Sequence, residues 1–225
     1  MLLKHGADAN AQGGYYENAL QAAFSGGQDT IVGMLLKQGV DVDVQGGEYG
    51  NALNNGSSRS HIAIVRFLLE HGMGVDRRGG PYRAALQTVP FLGHNETIRV
   101  LLEHGADVNA QGGEHGNALQ MASFRGYYGI VRLLLKQGAD GNAHGGCHRN
   151  ASYAAPPDGH SIIVRLLLEH GADMNAQGGV RQSASFLGHH EVIRMLLEYE
   201  LDVNAQGGEY GNALQAATMG SYDCS

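Results

Sequence analysis

Residues 109–141 read NAQGGEHGNALQMASFRGYYGIVRLLLKQGADG, and residues 10–42 read NAQGGYYENALQAAFSGGQDTIVGMLLKQGVDV. The two lines share length and grammar, and the segments 43–75, 76–108 and 142–174 follow the same rule. A sixth copy, 175–203, is shorter; a seventh, 204–225, stops partway, and 1–9 is the tail of another. Self-similarity at a fixed period of this size is the signature of a solenoid. Each unit of a solenoid contacts mainly its neighbours, so the chain builds a surface rather than a pocket.

The slots within a copy carry the local structure. Around Gly93-His94-Asn95-Glu96 the apolar residues Ile98, Leu101 and Leu102 fall at i, i+3 and i+4, one face of a helix. Arg99 and Glu103 fall on the other face. Gly105 ends this helix, because a C′ residue takes the left-handed conformation that glycine adopts without a Cβ clash. Gly6, Gly39, Gly72, Gly138 and Gly171 hold the same slot. The stretch after it, through Gly112-Gly113, is too polar and glycine-rich for a helix and reads as a projecting tight turn. Asn117 then N-caps a short helix, with Asn18, Asn51, Asn150 and Asn212 in equivalent places. Small residues such as Ala22, Ala23, Ala122, Ala216 and Ala217 allow the next layer to approach closely. The fold class is therefore all-α, stacked helix–turn–helix units joined by protruding hairpin-like loops.

This order resembles the ankyrin repeat, a unit of about 33 residues with two helices and the signature Thr-Pro-Leu-His-x-Ala. The chain carries Asn-Ala-Leu-Gln-Ala-Ala at 18–23 and 212–217 in its place. It also carries Gly-His-x-x-x-Ile at 93–98 and Leu-Leu-Glu-His-Gly-Ala-Asp-Val-Asn-Ala at 101–110. The resemblance covers essentially all of 1–225 and implies one ankyrin-repeat solenoid. The Asn-Ala-Leu-Gln variant after Gln-Gly-Gly is similar to arrays in large fungal proteins, some with NACHT-type domains. It implies a non-catalytic module that binds a protein or peptide on a concave face made of turn tips and first helices.

Composition agrees with a folded protein. Hydrophobic residues make up 43% and charged residues 16% of the 225. The net charge of −7, with no basic stripe, argues against nucleic acid. No apolar run reaches the length of about 18 residues that a membrane span needs, so none is expected. Cys147 and Cys224 lie two copies apart, beyond disulfide reach, which suits a reducing, intracellular setting in cytoplasm or nucleus. Both ends fall inside a copy and neither resembles a polar cap, so a piece of a larger scaffold or signalling protein is expected.

Catalytic motifs are missing: there is no phosphate loop, no Gly-x-Ser-x-Gly, and His190-Glu191 lacks the second histidine of a zinc-protease helix. No cofactor is expected. His61, His94, His160 and His189 share one slot, and His5, His71, His104 and His170 another, so packing and helix-end capping explain them. His144, Cys147 and His148 lack the spacing of a structural zinc site. An enzyme or metal site at the irregular fifth and sixth copies is the weakest reading, and a spacer without a specific partner is the plainer alternative. Two residues past each Gly-Gly pair stand Tyr16, Tyr49, Tyr82, His115, His148, Arg181 and Tyr210. One rung per copy makes a ladder. Tyr and Arg are residues that dominate binding energy at interfaces, so this ladder is the candidate partner-binding site. The opposing reading is a tyrosine inherited by duplication that packs on the next loop.

Departures from the pattern locate weak copies. Asn54-Asn55-Gly56 replaces Gln-Ala-Ala in copy two and is expected to weaken its first helix. Pro90 in copy three and Pro156-Pro157 in copy five end their first helices early. Copy six lacks four residues, about one helical turn. It also has Glu200 at the glycine slot. Hydrogen exchange should find copies two and six opening before copy four; equal protection in all three would contradict this.

Overall fold

The computed structural model describes residues 5–42, 49–80, 83–89, 93–112, 116–147, 150–155 and 161–173, with 194, 197 and 198. The expectations for copy six, Glu200 and Asn212 lie outside the described residues. Among the described residues there are ten helices and no strand. The first helices of copies one to five are α1 (Ala19–Ser25), α3 (Ala52–Ser58), α5 (Ala85–Thr88), α7 (Ala118–Phe124) and α9 (Ala151–Ala154). The second helices are α2 (Asp29–Lys37), α4 (Ile62–Glu70), α6 (Asn95–Glu103), α8 (Tyr128–Lys136) and α10 (Ser161–Glu169), each nine residues long.

Helix starts follow from asparagine. Asn18, Asn51 and Asn117 have extended backbones, and their Oδ1 atoms accept from the N–H of Gln21, Asn54 and Gln120 at 2.8 Å. Each satisfies a donor that the first turn leaves unpaired. In copy five the Asn150 Oδ1 accepts from the Ser152 hydroxyl at 2.9 Å. Proline sets the length: α5 and α9 have four residues against seven in α1, α3 and α7, with Pro90 and Pro156 two residues past their ends.

Helix ends follow from glycine. Gly39, Gly72, Gly105, Gly138 and Gly171 have φ between +74° and +89°. The Gly105 N–H reaches the Leu102 carbonyl and the Ala106 N–H the Leu101 carbonyl, both at 3.0 Å, a Schellman closure. The Ala139 and Ala172 N–H groups bond back five residues in the same way. His71, His104 and His170 add one bond each, from Nδ1 to the carbonyl four residues before at 2.8 Å. A carbonyl only accepts, so Nδ1 carries the proton in all three.

The chain divides into two units, residues 1–113 and 114–225. In the first, α1 packs on α3 and α3 on α5, while α2 packs on α4 and α4 on α6. In the second, α7 packs on α9 and α8 on α10. Each unit buries leucine and isoleucine between its layers: Leu53, Leu68, Ile98 and Leu101 in one, Leu119, Leu134, Ile163 and Leu167 in the other.

Copy two keeps its first helix despite the Asn-Asn-Gly stretch. Its first helix is complete, seven residues, all buried. Asn54 replaces the usual glutamine, and its Nδ2 lies within bonding reach of the carbonyls of Gly79 (2.9 Å), Tyr49 and Arg83 (both 3.1 Å). Tertiary bonding thus overrides poor local propensity. The cost remains visible: Asn54 Oδ1, Asn55 Oδ1 and Ser57 Oγ are buried without a hydrogen-bond partner. Such atoms each cost about 1–3 kcal/mol.

Two glycines separate propensity from space. Gly56 stands in mid-helix, where a Cβ would meet Val65 Cγ2 at 3.5 Å and Ile64 Cγ2 at 3.6 Å, ordinary contact. Gly56→Ala should raise stability by about 1 kcal/mol. Gly50 has φ +81°, and a Cβ there would collide with the backbone of Gly79 and Gly80. Gly50→Ala should lower stability by about 2 kcal/mol or more. Urea unfolding midpoints of the two variants, moving in opposite directions, check both.

Candidate interaction face

Two of the turns that carry the predicted ladder close by short backbone bonds. The Gly13 N–H donates to the Glu17 carbonyl at 2.6 Å, and the Gly79 N–H to the Arg83 carbonyl at 2.6 Å. Isolated antiparallel bridges pair Gln12 with Asn18 and Gly79 with Arg83. The residue ending each turn is left-handed: Glu17 (φ 68°), Gly50 (81°), Arg83 (64°) and Gly116 (79°). A non-glycine residue there costs about 1–2 kcal/mol. The sequence signal for this slot was glycine at 50 and 116, one residue beyond the tip.

Bonds between neighbouring copies anchor the turns. Gln87 Oε1 accepts from the Ala84 N–H at 3.1 Å, while its Nε2 donates to the Ala110 carbonyl at 2.9 Å. Gln120 does the same with Asn117 (2.7 Å) and Ala143 (3.0 Å). One amide thus caps its own helix and grips the loop of the following copy. A second row lies within single copies and joins their two ends: Asn10 Oδ1 to the Asp41 N–H (3.1 Å), Asp76 to the Asp107 N–H (3.1 Å), and Asn142 Oδ1 to the Asp173 N–H (2.6 Å). Sequence reading missed both rows. The recurring Gln of Asn-Ala-Leu-Gln and the Asn or Asp of the Ala-Asp-x-Asn stretch were their signals.

Of the seven ladder residues, two are described. Tyr16 is 41% exposed and meets the ring of Tyr15 edge-on, with centroids 4.9 Å apart. Tyr49 is half-buried, and its carbonyl accepts from Asn54. Tyr82, His115, His148, Arg181 and Tyr210 lie outside the described residues. Near the fifth turn, His144 Nδ1 bonds the Asn142 carbonyl at 2.7 Å and Cys147 is exposed. Among the described residues no three His, Cys, Asp or Glu side chains cluster as a metal site. Arg66 lies 3.7 Å from both Glu96 and Glu103 on the solvent side of the second helices. Exposed pairs of that kind contribute little.

His61, at the start of α4, packs into the space left by Gly27, where a Cβ would stand 2.5 Å from its Cε1. Its Nε2 is buried without a hydrogen-bond partner. Burial pushes the imidazole below its ordinary value of 6.5; Asp29 opposes the shift and Arg59 adds to it. The folded state therefore binds this proton less readily than the unfolded chain. Stability should fall as pH drops below about 6.5 and level off once the folded histidine is itself charged. Urea midpoints between pH 7.5 and 5 should show this loss, and His61→Gln should flatten it.

Two family profiles match the chain: ankyrin repeats in many copies over residues 82–143, and ankyrin repeats in three copies over residues 119–207. Together they span more than half of it, and the chain belongs to the ankyrin-repeat family. No curated protein matches. Among solved structures, the ankyrin repeat domain of Bcl-3, a member of the IkappaB protein family, matches with a TM-score of 0.77. The match covers 92% of this chain and 95% of that one at 23% identity, a likeness of fold. Ankyrin repeats generally mediate protein–protein interaction. Among the described residues no helix is long and apolar enough to cross a membrane.

Proposed function

We propose that this chain is a non-catalytic interaction module that binds a protein or peptide on a concave face. It works as one array inside the cell, in cytoplasm or nucleus, as part of a scaffold or signalling protein. The contact residues are the turn tips: Tyr16, Tyr49, Tyr82, His115, His148, Arg181 and Tyr210. The observation that supports this most is the anchoring of the turns by Gln87 and Gln120 to the copies beside them. A loop already held in place loses little freedom when a partner arrives, so more of the contact energy appears as affinity. The exposed Tyr16 ring offers apolar area, and tyrosine adds a hydroxyl for hydrogen bonding.

The test is a displayed peptide library selected against the full chain. Selected peptides should lose at least about 30-fold in affinity for a Tyr49→Ala, Tyr82→Ala, Tyr210→Ala variant, the scale expected for several interface anchors. The urea midpoint should stay in place. A variant that loses stability and keeps affinity would make the tyrosines packing residues, and the face would lie elsewhere.

A further inference from the structure

The pair Asn55-Gly56 occurs once in the chain, and it lies inside α3. Copies one, three, four and five place Ala22-Ala23, Thr88-Val89, Met121-Ala122 and Ala154-Ala155 in these slots. The fold does not ask for the glycine, since a Cβ at 56 would meet Val65 and Ile64 at ordinary contact distance. The chemistry of the pair is specific. Asparagine is thermolabile because the main-chain nitrogen that follows it can attack its side chain. With glycine next, no side chain obstructs that nitrogen.

The closed helix prevents the reaction. Side chains of a helix lean toward its N-terminus, so the Asn55 side chain points away from the Gly56 nitrogen. The Gly56 N–H is committed to the carbonyl four residues back, that of Ala52. Asn55 is 6% exposed, and its Nδ2 reaches Gln21 Oε1 of copy one at 3.5 Å. Opening is nevertheless favoured here. Among the described residues five buried polar side-chain atoms lack a hydrogen-bond partner, and four belong to copy two: Asn54 Oδ1, Asn55 Oδ1, Ser57 Oγ and His61 Nε2. Each favours a state in which water reaches it.

We propose that Asn55 is a site of spontaneous deamidation, gated by opening of α3, that limits the lifetime of copy two. When α3 opens, the Gly56 nitrogen gives its proton to hydroxide and attacks the Asn55 Cγ. An N–C bond forms, the Cγ–Nδ2 bond breaks, and the side-chain nitrogen takes a proton from water and leaves as ammonia. Water then opens the cyclic imide at either of its carbonyls. The product is aspartate at 55 or its isomer joined through the side chain, with water consumed, ammonia released and no redox change. The aspartate brings a charge into a site that holds a neutral amide, where burial without a donor is costly. The isomer adds a methylene to the main chain and breaks the helical ladder. Either product keeps α3 from closing as before, and the hold of Asn54 on the Gly79 and Arg83 carbonyls goes with it. This is independent of the turn-tip reading, and failure here leaves that reading untouched.

The test follows the full chain at neutral pH by peptide mapping that separates aspartate and isoaspartate at 55 from asparagine. Conversion should run at least about 100-fold slower than in a free peptide of residues 49–61, because only the opened fraction reacts. Urea below the unfolding midpoint should raise it in step with amide exchange of α3. Gly50→Ala, which leaves the pair intact, should raise it at least about tenfold. Asn55→Gln should remove it. Asn55→Asp, the straight product, should quicken exchange across α3 at least about tenfold. Native conversion as fast as in the peptide would overturn the proposal, as would conversion that ignores urea while α3 exchange quickens. So would an Asn55→Asp chain whose α3 is as protected as the parent's, because the modification would then set no lifetime.

Discussion

A primary amide, buried at the start of a short helix, carries much of the order in this protein. Gln87 and Gln120 each accept from the N–H that begins their own helix and donate to a carbonyl in the loop of the following copy. A buried amide with all its bonds made is stabilising and directional; half satisfied, it is costly. The apolar layers set how closely two copies approach. The amide sets their register, because only one alignment brings donor and acceptor together. The Asn or Asp row at Asn10, Asp76 and Asn142 adds a bond from the start of each of three copies to its end.

Copy two shows the same constraint under strain. Asn54 is one methylene shorter than glutamine, and it bonds carbonyls nearer to hand, those of Tyr49, Gly79 and Arg83. Its loop then sits so close to the next that Gly50 lies directly against Gly79 and Gly80. The helix persists, with orphaned oxygens at Asn54, Asn55 and Ser57 and an imidazole nitrogen at His61. Asn54 carries both effects: its Nδ2 holds the neighbouring turn while its Oδ1 stays unpaired.

What could be read from the letters was local. Asparagine caps, the glycines that close second helices, the early ends at Pro90 and Pro156, and the histidine bonds to the last turn all act within five residues. Period and grammar gave the all-α repeat fold, which the family matches and the likeness to the Bcl-3 domain bear out. What could not be read acts across long stretches of chain, from Gln87 to Ala110 in the next copy or from Asn10 to Asp41 across one copy. Copy two is expected to have a weakened first helix from its letters alone, and its full length shows how far tertiary bonding outweighs propensity. Of the candidate site, Tyr16 stands exposed and Tyr49 is half covered, a difference that identical spacing could not foretell.

The backbone closure of the turns at Gly13–Glu17 and Gly79–Arg83 also bears on how such a chain diversifies. Between Gly13 and Glu17 the chain is pinned at both ends, and only three residues lie inside the clasp. Within the clasps Gly14 and Gly80 are held by positive φ, and Gly80 also by the backbone of Tyr49, whereas the side chains of Tyr15 and Tyr16, the two residues after Gly14, make no helix, cap or register bond among the described residues. Selection can therefore rewrite those two positions copy by copy. The varied letters Tyr-Tyr, Glu-Tyr, Pro-Tyr, Glu-His and Cys-His after successive glycine pairs are the trace such freedom leaves.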